Sequence, residues 1–337
     1  MNLYSDNGYV NIKGILAQGL PFNFVVGGRG TGKTYTTLSE IIDQEIQFMF
    51  MRRTQSQADL INKPEFSPFK TINRDRNLNI TTRPLSKYNA GFYRDAEEGG
   101  KPIGYSCALS TISNIRGFDA QDVDLLVYDE FIPESHERPI KNEGSAFLNA
   151  YETINRNREL QGRKPLQVIC LANANDLANP IFIELSLVKK ADSMARKGQE
   201  ISIDKNRGVG IFLLKESPIS TAKQNTALYK LTSGSDFERM SLSNEFYNID
   251  YTGVVKKPII EYKPMVVVGE VCIYTHKHTN KLYCSTHIVG SPPRFSSGSA
   301  DLTAFWCSYN WIWKEFMFGN IEFEEILCKI LLTKYRK

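Results

Sequence analysis

The sequence lacks any apolar run near the roughly 18 residues that a transmembrane helix needs. Residues 1–10 also lack the basic and apolar regions of a secretory signal peptide, so we expect the chain to stay in the cytoplasm. Only six cysteines occur among 337 residues, without paired spacing, which is typical of reduced thiols and not of a disulfide scaffold. The net charge of +4 is small, so the composition permits nucleic-acid binding without requiring it.

Histidine is scarce as well, and no Ser/His/Asp or Cys/His catalytic set can be recognised. Two cysteines and three histidines fall close together at Cys272, His276, His278, Cys284 and His287. Their spacing matches no standard structural-zinc pattern, which favours ordinary hairpin side chains. An active nuclease would need clustered carboxylates to hold metal ions. The candidates near the C-terminus, which show no diagnostic spacing, are Asp250, Glu261, Glu270 and Asp301.

A phosphate-binding signature, FNFVVGGRGTGKT, occupies residues 22–34. A strand-like run leads directly into the G-x-x-x-x-G-K-[ST] pattern of the P-loop, whose glycines let backbone N–H groups surround phosphate oxygens. Lys33 would contact the β- and γ-phosphates of a nucleotide, and the Thr34 hydroxyl would ligate Mg²⁺. The run 35–48 has helical spacing and no Gly or Pro, which predicts a helix N-terminus at the phosphates. The predicted nucleotide-binding residues are Gly27, Gly28, Arg29, Gly30, Thr31, Gly32, Lys33 and Thr34.

A second informative stretch, VDLLVYDE, spans residues 123–130. A nearly continuous apolar run ending in two acids is typical of a buried parallel strand whose tip enters a site. As a Walker B strand it would use Asp129 to hold Mg²⁺ and Glu130 to orient the attacking water. An ordinary strand with a solvated acidic end is the alternative, but the upstream P-loop favours the functional interpretation. The Glu directly after the Asp indicates hydrolysis and not binding alone.

Two further segments carry candidate site residues. The segment 145–160 has helical spacing, with Arg156 and Arg158 near its C-terminal end. Either arginine could simply complement the helix dipole, or it could act as an arginine finger on a neighbouring subunit's γ-phosphate. Another apolar run, 166–172, is followed by Asn173, which is either a γ-phosphate sensor or a turn-forming residue.

The length is typical of two domains. The distribution of apolar and polar residues divides the chain into two domains joined by a linker or lid segment. Residues 1–214 predict an α/β P-loop ATPase domain with a mostly parallel sheet. Residues 215–248 have few large apolar runs and predict a linker or small helical lid. Residues 249–337 predict a smaller α+β domain, with a hairpin over 265–289, an aromatic helix over 302–318 and a final helix over 321–335.

Several short motifs together resemble one known family. The Arg-Gly loop at 113–117, shortly before the Walker B acids, resembles phage terminase large subunits. A closer similarity is to the genome-packaging ATPases of small, protein-primed tailed phages, and it extends to the stretch 240–246. The motifs that carry it are Arg29 in the P-loop, Arg52-Arg53, Asp129-Glu130-Phe131-Ile132, Arg156-Asn157-Arg158-Glu159 and Cys170-Leu171-Ala172-Asn173-Ala174.

This resemblance implies an additional-strand, catalytic-glutamate P-loop ATPase that uses ATP and Mg²⁺. It implies a homopentameric ring at the portal of a procapsid in the host cytoplasm, absent from the mature virion, that drives double-stranded DNA inward. It makes Arg156, and less so Arg158, the finger acting in trans. It also implies that residues 249–337 form a ribonuclease-H-like domain without its nuclease acids, which in that family helps dock the motor, partly through a structural RNA.

Other functions are also compatible with these sequence motifs. One is a terminase large subunit with a working nuclease, which a metal-dependent DNA cleavage assay would reveal. A second is a nucleotide-dependent switch or clamp on nucleic acid, in which hydrolysis only resets affinity. A P-loop kinase is a weaker third alternative, because no acceptor-binding pattern stands out.

Overall fold

The computed structural model describes the chain except residues 96–99, 116–119, 135, 139, 216, 243–245, 247–248 and 337. Its contacts divide the chain into two compact units, Met1–Asn248 and Ile249–Lys337. Residues 215–248, predicted as a linker or lid, contribute short helices that belong to the first unit. None of the helices in the described part of the chain combines the length and apolar composition of a membrane span.

The first unit is built around one large sheet. Its strands are β1 (Phe22–Gly27), β2 (Phe48–Arg52), β3 (Ile80–Pro84), β4 (Ala90–Arg94), β5 (Gly104–Ala108), β6 (Leu125–Asp129), β7 (Gln167–Ala172), β8 (Ile201–Asp204) and β9 (Val209–Leu214). Its helices are α1 (Ile12–Leu16), α2 (Lys33–Asp43), α3 (Gln55–Ile61), α4 (Lys70–Arg76), α5 (Glu143–Asn155), α6 (Pro180–Glu184), α7 (Val188–Lys197), α8 (Pro218–Lys223), α9 (Ala227–Leu231) and α10 (Asp236–Leu242).

Among the described residues the strand order is β3-β4-β5-β2-β6-β7-β1-β9-β8. The pairs from β5 through β2, β6, β7 and β1 to β9 are all parallel, while β3, β4 and β8 run antiparallel at the edges. β7 lies between β1, which leads into the P-loop, and β6, the predicted Walker B strand. β7 is thus the inserted strand that the additional-strand class predicts. The predicted α/β class with a mostly parallel sheet is confirmed.

Both faces of the central strands are buried, as their near-continuous apolar sequences require. On one face Val25, Val127 and Ile169 join a core cluster with Leu38 of α2. On the other face Phe24 packs edge-on against Phe182 of α6, with ring centroids 5.4 Å apart. The parallel strands therefore hold their carboxyl ends at one rigid edge, where the site residues follow.

The second unit contains a smaller sheet and two helices. Its elements are β10 (Tyr262–Val268), β11 (Val271–His276), β12 (Leu282–Ser285), β13 (Arg294–Phe295), β14 (Ile321–Phe323), α11 (Ser299–Met317) and α12 (Ile326–Lys334). Its described strands are ordered β13-β10-β11-β12-β14, so the smaller α+β domain is confirmed. The hairpin predicted over 265–289 forms, because β11 and β12 pair antiparallel. Its first half differs in detail, since a further turn at Gly269 separates β10 from β11. The final helix begins later than predicted, after β14, and the ribonuclease-H-like assignment stays a prediction.

Candidate active site

The P-loop connects β1 directly to α2. Gly30 and Gly32 have φ angles of +75° and +79°, in the left-handed region that glycine tolerates best. Gly32 is the N-cap of α2, which begins at Lys33 and ends at Asp43. The helix is thus shorter than the predicted run 35–48 and starts two residues earlier, because Phe48 already belongs to β2. The first N–H groups of α2 point toward the loop and form an anion-binding end.

Lys33 is folded back onto the loop that carries it. Its Nζ donates to the carbonyl oxygens of Gly27 and Gly28 at 3.0 and 2.7 Å. It also donates to Oδ1 of Asn173 at 3.2 Å, which brings the predicted sensor side chain into the site. Burial lowers the pKa of Lys33 to about 8, although the charge of Asp129 opposes that shift. The ammonium group therefore lies where the carboxyl ends of β1 and β7 meet.

Thr34 and Asp129 meet across the sheet edge. The Thr34 hydroxyl lies 3.0 Å from Oδ1 of Asp129, and the Asp129 residue is buried. A hydroxyl and a carboxylate oxygen are the protein ligands that Mg²⁺ uses beside nucleotide phosphates. The donor set therefore fits the predicted metal. Within the described ranges, no group of three or more His, Cys, Asp and Glu side chains is placed to hold a metal ion.

Glu130 follows Asp129 at the tip of β6 with a left-handed backbone, φ 57°. Burial raises the pKa of its carboxyl, while the nearby Arg52 guanidinium opposes that rise. Arg52 donates from Nη1 to Oδ2 of Asp129 at 2.8 Å and from Nη2 to Oε2 of Glu130. One arginine of β2 thus contacts both acids at the end of β6.

One cleft of about 380 Å³ is lined by Lys33, Thr34, Asp129, Glu130 and Asn173, among others. Its walls come from the P-loop, the tip of β6 and the end of β7. Arg29 pairs there with Glu134, four residues after Glu130. The predicted residues of the P-loop, Asp129, Glu130 and Asn173 are therefore brought together at one edge of the sheet, with Lys33 and Thr34 at its centre.

The two candidate finger arginines have different environments. Arg156 is the C-cap of α5, half-buried, with an unusual backbone at φ 48° and ψ −134°. Arg158 is buried, with 4% of its side chain exposed, and pairs with Asp124 at the opposite end of β6 from Asp129. Its Nη2 also donates to backbone carbonyls, including Gln121 O at 2.9 Å. The guanidinium of Arg158 is therefore not accessible to a neighbouring subunit. Of the two arginines, only Arg156 remains a candidate arginine finger.

Sequence reasoning did not assign several residues of the site. Arg52 was noted only as part of a motif, and its position one strand away from β6 could be recognised only from the strand order. Tyr9 lies against the loop so closely that a Cβ on Gly32 would be 2.4 Å from its ring. Lys223 also reaches the loop, and nothing in the sequence signals either contact. Arg116, from the predicted Arg-Gly loop, lies outside the described residues.

The arrangement has a counterpart among known families. The family model of the podovirus DNA encapsidation protein (Gp16) matches residues 5–281. The chain belongs to this family. Among its relatives, the DNA packaging protein of Bacillus phage PZA is 28% identical to this chain over 258 residues. The alignment covers 74% of this chain and 69% of the relative. The DNA packaging protein of Bacillus phage phi29 is 29% identical over 247 residues, covering 71% of this chain and 66% of the relative.

Two solved structures share the fold of this Gp16 family member. The bacteriophage Phi-29 viral genome packaging motor assembly aligns with a TM-score of 0.67 at 20% identity, over 99% of this chain and 98% of that chain. The Phi-28 gp11 DNA packaging motor aligns with a TM-score of 0.63 at 18% identity, over 95% of both chains. At such low identity these likenesses establish the fold, and the activity has to be argued from the site itself.

Proposed function

We propose that this protein is an ATP-driven motor that moves viral double-stranded DNA into a procapsid through its portal. One observation carries the chemical part of the proposal: the P-loop residues Lys33 and Thr34 meet Asp129 and Asn173 at one sheet edge. Membership of an encapsidation family supports the biological part. The two solved structures with this fold are of DNA packaging motors, which supports the same assignment.

The substrate of this site is ATP with Mg²⁺. The N–H groups of the loop and the Lys33 ammonium bind the β- and γ-phosphates, and Lys33 exchanges its carbonyl acceptors for phosphate oxygens. Thr34 and Asp129 would hold Mg²⁺, which would supply positive charge beside the phosphates. Glu130 orients the attacking water once its carboxylate is released from Arg52. Asn173 contacts Lys33 and so reports the state of the γ-phosphate to β7.

The motor acts as a ring, with pentameric symmetry as the resemblance implies. Arg156, at the end of α5, serves as the finger that completes a neighbouring subunit's site. Because this arginine belongs to one subunit and the site to its neighbour, hydrolysis at the site is coupled to movement of the two subunits relative to each other. The ring works in the host cytoplasm, docked transiently on the portal vertex and left outside the mature virion. Residues 249–337 act as a vestigial nuclease domain that helps dock the motor. A structural RNA on the procapsid is the further partner that the family resemblance implies.

The DNA contacts of such a motor go to phosphates and not to base edges, because it must move any sequence. The modest basicity of the loops at residues 74–101 and around Arg116 would suffice for these contacts if about five subunits share the duplex. Each subunit contributes little charge, which agrees with the net charge of +4. A modest grip per subunit also allows the duplex to be released at every step.

Steady-state ATP hydrolysis tests the proposal directly. The rate per subunit should rise with protein concentration and with added linear double-stranded DNA. Lys33→Ala should lose nucleotide binding, whereas Glu130→Gln should bind ATP without turnover. Lys205→Ala is the matched control, because Lys205 is exposed in the β8–β9 turn. Undiminished hydrolysis in Glu130→Gln would overturn the assigned role of Glu130. A rate indifferent to DNA and concentration would overturn the shared-site motor.

A further inference from the structure

One side chain of the helical segment 215–248 contacts the P-loop. Lys223, in the last turn of α8, donates from Nζ to the carbonyl oxygen of Arg29 at 2.8 Å. The ammonium lies so close to Gly30 that a Cβ there would be 1.9 Å away. A basic residue near a helix C-terminus complements the helix dipole, but that effect does not account for a contact with a loop 194 residues away in sequence.

The N-terminal segment holds α8 in this position. Tyr4 donates from its hydroxyl to the carbonyl oxygen of Lys215, just before α8. A Cβ on Gly8 would lie 3.1 Å from Cβ of Pro218, the first residue of α8. The same segment reaches the P-loop, because Val10 N donates to Thr31 O at 3.0 Å. Lys223 is therefore presented to the loop by two segments distant in sequence, and its position is built into the fold.

The side chains around Arg29 and Gly30 of the P-loop carry positive charge that would favour a bound anion. Lys33, Arg29 and Lys223 bring three cationic side chains to the same few residues. Burial is the main cause of the lowered pKa of Lys33, and the charge of Lys223 adds to it. Arg29 is paired with Glu134. Among the described residues the one acceptor of Lys223 is Arg29 O, and an ammonium has three N–H donors. Burial lowers the pKa of Lys223, as expected for an ammonium that lacks a charged partner.

We propose that Lys223 is a phosphate-binding residue of the nucleotide site, supplied by segment 215–248. Its free donors bind the terminal phosphates of the nucleotide while α8 stays against the loop. A bound triphosphate thereby fixes the segment to the P-loop through a charge-assisted hydrogen bond, which is stronger than the carbonyl contact alone. This inference rests on the proposed ATP-binding function of the same loop.

Calorimetric titration with ATP and Mg²⁺ tests this, in a Glu130→Gln background that blocks turnover. Lys223→Met keeps most of the apolar stem and removes the charge, so it should weaken ATP binding at least about tenfold, equivalent to about 1.4 kcal/mol. Lys223→Arg should recover part of that loss. AMP, which lacks the terminal phosphates, should show no difference between the variants. Lys230→Ala is the control, because Lys230 is an exposed lysine of the same segment.

Hydrogen exchange supplies a second measurement on the same proteins. ATP should protect the backbone amides of α8 when Lys223 is present, and should protect them less in Lys223→Met. Equal ATP affinity in Lys223→Met and the parent would overturn the inference while leaving the proposed function intact. A Lys223→Met protein that unfolds at a lower temperature but binds ATP normally would assign Lys223 a purely structural role. Failure of the parent protein to bind ATP would instead overturn the proposed function.

Discussion

Arg52 donates a hydrogen bond of 2.8 Å from Nη1 to Oδ2 of Asp129, although the two residues come from different strands. The other terminal nitrogen of the same guanidinium reaches Glu130. The strand order explains this, because β2 pairs with β6 and places Met51 opposite Tyr128. A planar fork that spans two carboxylates fixes both their positions and their charge.

The pH dependence of hydrolysis should depend on Arg52. Burial raises the pKa of Glu130 and Arg52 opposes that rise, so Arg52→Gln should raise the pKa further. Because the ionised carboxylate is the active form, the acid limb of the pH–rate profile should move to higher pH. The profile of kcat/KM for ATP from pH 5 to 9 measures this shift, because it reports groups of the free enzyme, in which Arg52 contacts Glu130. Arg52→Lys, which keeps the charge but not the fork, should move the limb less; an unmoved limb in Arg52→Gln would contradict the assignment.

Nucleotide binding should take up protons above neutral pH. Burial lowers the pKa of Lys33 to about 8, so much of this side chain is neutral at pH 9. Polyphosphate beside the ammonium favours its charged form and raises the pKa again. Titration calorimetry in two buffers of different ionisation enthalpy should therefore show more proton uptake at pH 9 than at pH 7. Equal uptake at both pH values would exclude Lys33 as the group that titrates.

Arg53, next to Arg52, should matter for stability. Its side chain is buried and donates to Glu143 Oε1 and Oε2 at 2.7 and 2.9 Å, and to Glu137 Oε2 at 3.0 Å. Arg53→Met would leave the Glu143 carboxylate buried without its cation, which should lower the free energy of unfolding by about 3–5 kcal/mol. The double variant Arg53→Met/Glu143→Leu should recover most of this loss, since no charge is then buried.

Denaturant unfolding followed by circular dichroism measures those changes. Tryptophan fluorescence reports the second unit separately, because Trp306, Trp311 and Trp313 are the three tryptophans of the chain. An Arg53→Met variant as stable as the parent would show that the ion pair contributes nothing.

Arg156 and Arg158 should behave differently in mixed rings. Arg156→Ala should slow hydrolysis by roughly a thousandfold, as loss of an arginine finger does. Mixing it with Glu130→Gln subunits should restore part of the rate, because some interfaces then combine an intact Glu130 with an intact Arg156. No rescue at any ratio would contradict a finger acting in trans. Arg158→Ala should instead lower the free energy of unfolding by roughly 1–3 kcal/mol, because it leaves buried carbonyls unpaired.

The centre of the site could be predicted because local sequence determines it. The P-loop needs glycines at positions with positive φ and a helix directly behind Lys33, and both requirements are visible within a dozen residues. The acids at the tip of β6 follow an apolar run that only a buried strand explains. Asn173 was predicted for the same reason, as the polar residue after β7, and it contacts Lys33 at 3.2 Å.

The remaining contacts depend on strand order and on segments distant in sequence. Arg52 enters the site because β2 lies beside β6. The sequences of the two strands do not indicate that they pair. Arg158 looks like its neighbour Arg156 in sequence, but the chain leaves α5 at Arg156 through a left-handed residue and turns Arg158 into the interior. The length of α2 was overestimated because its apolar spacing continues into β2, where burial on a sheet overrides helix propensity.

The position of β7 has a mechanical consequence. Thr34 follows β1 and Asp129 ends β6, so their 3.0 Å contact bridges two strand spacings, roughly 10 Å of sheet. Neighbouring strands in a sheet are rotated by about 20–25° relative to each other. A torque that changes this rotation displaces the tips of β1 and β6 in opposite directions and alters the pair that would hold the metal.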